Sequence, residues 1–196
     1  MDLPSWVPGD EVKPAPLPLL LVQSFVNTWE GDSGADLLGD LPSAARWLAE
    51  AGLLRDKPRL DAADLLTARQ VRESIRTLLV HNGGGPAPTQ AELAALQALG
   101  RVSRFVVTIA SDGRADLETA VGQPHDLAKL LVIIRDSQQD GTWARLKACH
   151  NSDCRWAFYD RSHAGRGAWC DMAVCGNRLK NRNLRYRRAK VPGQKP

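Results

Sequence analysis

The chain has 196 residues, 43% hydrophobic and 24% charged, which suits one sizeable globular domain or two small ones and excludes a wholly disordered chain. Its net charge of +4 is the sum of unlike parts: residues 1–148 hold 15 Lys/Arg against 19 Asp/Glu, whereas residues 149–196 hold 11 against 3 and contain all four cysteines. The split predicts a mildly acidic body followed by a basic module suited to nucleic acid or another anionic surface.

In chain order, residues 1–16 contain Pro4, Pro8, Pro14 and Pro16 and predict a flexible, extended leader. Asp2, Asp10 and Glu11, with no Lys or Arg among the first eleven residues, do not fit a secretory signal. The longest apolar run, Leu17 to Val22, is far too short to span a membrane, so a cytoplasmic protein with no membrane partner is expected.

Residues 17–145 predict a mainly α domain with one small β-hairpin, an α+β class. Leu21, Phe25 and Trp29 fit a first helix. Asn27 and Thr28 at its end are candidate ligand-binding residues, with helix termination as the competing role. A second helix is expected over 43–51, capped by Ser43 and burying Ala44, Trp47, Leu48 and Ala51. A third runs from an Asp61 cap to His81, with Leu65, Ala68, Val71, Ile75, Leu78 and Leu79 on one stripe. Thr89 and Glu92 form a capping-box pattern opening a fourth. Residues 104–110 and 115–120 predict strands joined by an Asp112-Gly113 turn. Pro124 opens a last helix with Leu127, Leu130, Leu131 and Ile134 inward. Trp29, Trp47 and Trp143 are expected in the core, and His81 and His125 in structural roles at helix ends. No nucleophile–base pair or phosphate loop stands out, so no catalytic residue is assigned and an enzyme is not expected.

The decisive feature is Cys149-x4-Cys154-x15-Cys170-x4-Cys175. Two short pairs separated by a loop suit one tetrahedral, structural Zn2+ ion, since four thiolates leave no open coordination position. Two disulfides or buried free thiols are the alternatives, and His150 or His163 could replace a ligand. The fifteen-residue insert is expected to form a hairpin, with Trp156 and Phe158 on one face covering the metal.

After Cys175 a helix is expected. At about 100° per residue, Arg178, Arg182, Arg185 and Arg188 form a basic stripe, Lys180 and Arg187 flank it, and Leu179 and Tyr186 anchor it. These cations, with Lys190, are candidate nucleic-acid contacts; a solvated basic tail is the alternative.

The string Cys149, Cys154, Trp156, Phe158, Asp160, Ser162, Trp169-Cys170-Asp171-Met172 and Cys175-Gly176-Asn177-Arg178-x-Lys180 resembles the CGNR zinc-finger family. Phe25-Val26-Asn27-Thr28 and Trp47-Leu48 resemble the ABATE domain that precedes that finger. The resemblance implies an ABATE-like sensor or partner-binding domain over 17–145, a zinc finger with a basic helix over 146–190, and a tail over 191–196. It implies a bacterial, stress-responsive transcription regulator with zinc on the four cysteines and DNA as partner, hence nucleoid-associated. A small-molecule effector in the N-terminal domain and a homodimer are further expectations. Where the family is basic after Ser162, this chain has His163-Ala164-Gly165-Arg166-Gly167-Ala168. The competing readings are an enzyme or small-molecule-binding protein with a purely structural finger, and an RNA- or protein-interaction module.

Overall fold

The structure is a computed structural model and describes residues 3–9, 11–54, 60–120 and 126–177. Helix α1 (Leu19–Val26) is buried along its whole length. It is apolar on all sides except Gln23 and Ser24, and Gln23 is absorbed by hydrogen bonds: its Oε1 accepts from Ala15 N at 2.7 Å and its Nε2 donates to Ala157 O at 3.2 Å. A helix hydrophobic all round belongs at the centre of a fold, and α1 packs against two other helices and a strand of the zinc module.

Helix α2 (Leu41–Glu50) starts earlier than expected. Asp40, not Ser43, is the cap, accepting from Ser43 N at 2.9 Å, and Pro42 is accommodated in the first turn, where its missing N–H costs nothing. Helix α3 (Ala62–Asn82) is closed at its start by Asp61 and Asp64, and α4 (Gln90–Val102) by Thr89 and Glu92, both as capping boxes. Strands β1 (Phe105–Ile109) and β2 (Ala115–Thr119) pair antiparallel with Val107 opposite Leu117, through a turn in which Gly113 has φ +84°. Helix α5 (Ala128–Gln139) buries Leu130, Ile133 and Ile134, with Leu127 just before it. His125 and the Pro124 start lie outside the described residues.

A single 3-10 turn at Trp143–Arg145 feeds β3 (Leu146–Ala148), which pairs antiparallel with β4 (Ala157–Tyr159). The hairpin of the zinc module therefore brackets the first cysteine pair; it is not formed by the insert between the pairs. Three-residue strands with Lys147 in the middle carry too little alternation to be legible in sequence. Leu146, Ala148 and Ala157 belong to the main core, between α1 and α3.

The leader differs from the flexible segment expected. Lys13 O accepts from Tyr159 N at 2.9 Å, Pro14 O from Arg161 at 2.8 Å, Trp6 O from Trp47 Nε1 at 2.8 Å, and Lys13 Nζ donates to Trp169 O at 2.7 Å. Its prolines leave carbonyls free to accept, and the body supplies the donors. The far end of α1 is closed by cations from α3. Arg76 donates to Val26 O and lies 4.8 Å over the Trp29 ring, while Arg72 pairs with Asp36 and reaches Thr28 Oγ1 at 3.2 Å. Burial lowers the Arg76 pKa to about 10, so it remains charged at neutral pH.

Candidate metal centre

Each cysteine is delivered by a different device. Cys149 follows β3. Cys154 closes the turn into β4, with its amide on Asn151 O at 3.0 Å; the next residue, Arg155, takes φ +51° so that Cys149 N can reach Trp156 O at 2.9 Å. Cys170 follows the loop from Asp160 to Ala168. Cys175 sits in a π-helical turn, Met172–Gly176, whose start is capped by Asp171 accepting from Val174 N at 2.9 Å.

The four Sγ atoms lie within 4.8 Å of one another, with Cys154–Cys170 at 3.6 Å and Cys170–Cys175 at 3.7 Å. A tetrahedron with Zn–S bonds near 2.3 Å has edges of about 3.8 Å. The sulfurs thus stand at tetrahedral spacing and well beyond the ~2.0 Å of a disulfide, and no disulfide joins any of the four. Phe158, Trp156 and Trp169 pack around them; the alternation of residues 155–159 points to the first two, and Trp169 is added by the fold. Asn151 Nδ2 approaches Cys175 Sγ at 3.9 Å, an N–H donor for a metal-bound sulfur.

The electrostatics call for a cation. The thiols of Cys154 and then Cys170 hydrogen-bond to Cys149 and hold its pKa far below the usual value. The same contact with Cys149 pushes Cys154 up to about 12 and raises Cys170 further, while burial, then the Cys149 charge, raises Cys175. One thiolate can be stabilised by its neighbours, but four in this volume need a dication to offset their repulsion. Zinc fits the donor set, and its chemistry here is structural: it joins four chain segments.

The described histidines stay outside the cluster. His150 Nε2 is 2.8 Å from Gly83 O, His163 is exposed on the 160–167 loop, and His81 Nδ1 lies 3.3 Å from Gly85 O at the end of α3. Asn27 and Thr28 are both buried, with their polar atoms engaged within the protein. Asn27 acts as a mock strand for β4: its Oδ1 accepts from Ala157 N at 2.7 Å and its Nδ2 donates to Ala157 O at 2.9 Å and to Glu11 at 3.2 Å. Thr28 Oγ1 donates to Phe25 O at 2.8 Å. Arg178, Lys180, Arg182, Arg185, Arg187, Arg188 and Lys190, with the expected helix that carries them, lie outside the described residues.

Family models match two stretches. Residues 145–188 match the CGNR zinc finger, and residues 20–146, well over half the chain, match ABATE, described as a "putative stress-induced transcription regulator". The chain belongs to the ABATE family. No curated protein matches it. The two models overlap at residues 145–146, and Leu146 with Ala148 and Ala157 is buried in the main core, so the hairpin of the finger packs directly into the ABATE body.

Two supports of the finger, Gly31 and Lys147, are not evident from sequence. Gly31 lies against the cysteine turn so closely that a Cβ there would overlap Asp153 O and come within 2.7 Å of Cys154 O. Lys147 is buried and donates to Asp160 at 2.8 Å and to Gly165 O at 2.6 Å. Asp160 also accepts from Ser162 N at 3.0 Å and Gly167 N at 2.7 Å, which folds the loop leading to Cys170. Gly31 lies in a stretch whose composition predicts only a turn-rich connection. Lys147 offers no signal, because a lone lysine beside apolar residues reads as surface.

Proposed function

We propose that this ABATE protein is a sequence-specific DNA-binding transcription regulator of the cytoplasm, without enzymatic activity, whose zinc module presents the Arg-rich segment 178–190 to the duplex. The observation that carries the reading is the position of that segment. It begins three residues after Cys175, the last sulfur of a centre whose hairpin is part of the main core, and residues 178–196 hold eight Lys/Arg and no acid. A charge run attached to a metal-fixed scaffold is suited to phosphate contacts and guanine edges in a way a tethered tail is not. The acidic body opposes nonspecific adhesion and leaves contact to the module.

Sensing of a small molecule by the body is the second part of the reading. It draws support from a cleft of about 400 Å³ lined by Trp156, Glu30, Asp171 and three of the cysteines, where an occupant would touch body and finger together. Gel-shift titration against genomic fragments tests the DNA reading. Replacing Arg182 and Arg185 with Ala should weaken binding and lower its salt slope by about 0.9 for each phosphate that is no longer neutralised. Unchanged affinity and slope would count against it.

A further inference from the structure

The β1–β2 hairpin leaves apolar surface unaccounted for by the fold. Val107 is 65% and Ile109 68% exposed, Val106 42%, and Val102 just before the strand 65%. It is β2, not β1, that meets α5, and among the described residues the sheet has two strands, so β1 is an edge there. Edge strands are normally guarded by a bulge, a proline or an inward charge. Phe105-Val106-Val107-Thr108-Ile109 has none of these.

The register says which backbone groups face outward. Ala120 N donates to Arg104 O and Ala110 N to Arg114 O, so even-numbered positions of β1 bond to β2. In an antiparallel ladder, residues 105, 107 and 109 then turn their N–H and C=O groups to the open side. A second antiparallel strand must offer the same odd-numbered pattern, and β1 itself does.

We propose that β1 is a homodimerisation edge, on which a second copy of this chain pairs β1 to β1 antiparallel about a two-fold axis at Val107. In this register Val107 faces its own counterpart and Phe105 faces Ile109, all through bonded pairs. The four-stranded sheet then carries Phe105, Val107 and Ile109 of both copies on one continuous face. Charge is complementary: exposed Arg104 lies opposite Ala110 of the second copy and diagonal to Asp112, twice by symmetry, within reach of a long side chain. A symmetric, isologous contact of this kind closes on itself and does not propagate.

The pairing is independent of the DNA reading, because it is measured without nucleic acid. Sedimentation of the full-length, zinc-loaded chain should show a dimer. Val107→Lys with Ile109→Lys places like charges across the axis and should raise the dissociation constant on the order of 100-fold or more, with zinc content and circular dichroism unchanged. Val107→Cys should self-couple under mild oxidation, whereas Val106→Cys, two positions out of register with itself, should not. A monomer at about 100 µM, or a dimer indifferent to the Lys pair, would overturn the proposal. A dimer in which Val106→Cys couples as fast as Val107→Cys would overturn the register.

Discussion

Asn27 shows how one side chain can hold two parts of a fold together. It bonds both backbone groups of Ala157, as a neighbouring strand would, at the point where α1 meets the zinc hairpin. Asn27→Ala leaves a buried N–H without its partner and weakens the carbonyl's, and each such group costs about 1–3 kcal/mol. We therefore expect a loss of about 2–4 kcal/mol in urea unfolding of the zinc-loaded protein. Asn27→Asp should recover only part, since it keeps the acceptor but brings a charge beside Glu11, whose own pKa burial already raises. Asp160 gives a pH dependence with a definite sign. Burial opposes its ionisation, but the Lys147 hydrogen bond, with those of Ser162 and Gly167, outweighs it and holds the pKa well below the ordinary carboxylate value. A folded-state pKa lowered in this way contributes stability above the unfolded value, near pH 4, and loses it as pH falls further. Unfolding midpoints followed downward from pH 5 should fall in the native protein and be flatter in Asp160→Asn, which starts from lower stability. The Asn27–Thr28 pair is visible in sequence as a helix end, but its partner 130 residues away is not, because no local pattern encodes which strand a side chain will imitate.

At the scale of elements, the Asp61 cap of α3, the capping box of α4, the β1–β2 hairpin and the buried faces of α2 and α5 are legible, because caps, turns and periodicity are local. The hairpin around Cys149 and Cys154 is not, because strands of three residues derive their stability from α1 and α3 beneath them. Gly31 is the sharpest test of that dependence. The cysteine turn packs on its Cα with no room for a side chain. Gly31→Ala should displace the turn from the body, weaken zinc retention in a chelator competition by about tenfold or more, and leave the α-helical circular dichroism largely intact. Retention equal to that of the native chain would show that the finger stands without the body.

For the whole molecule, the charge split acquires a structural meaning. Zinc with four thiolates adds −2 to the basic end, so the net charge of residues 149–196 falls from +8 to about +6. In exchange, the chain leading into the Arg-rich segment is fixed on a core that includes the leader, α1, α3 and the hairpin. Among the described residues no helix is long and apolar enough to cross a membrane. Because structural zinc contributes on the order of 10 kcal/mol to the folding of such a module, removing it should disorganise the finger while the helical body persists. The most direct measurement is fluorescence anisotropy of a duplex drawn from selected genomic fragments, titrated with the zinc-loaded chain, the chelated chain and Cys175→Ser at one salt concentration. The account predicts tight, salt-sensitive binding by the first and only weak, sequence-indifferent binding by the other two. Equal affinity and sequence preference in all three would contradict it.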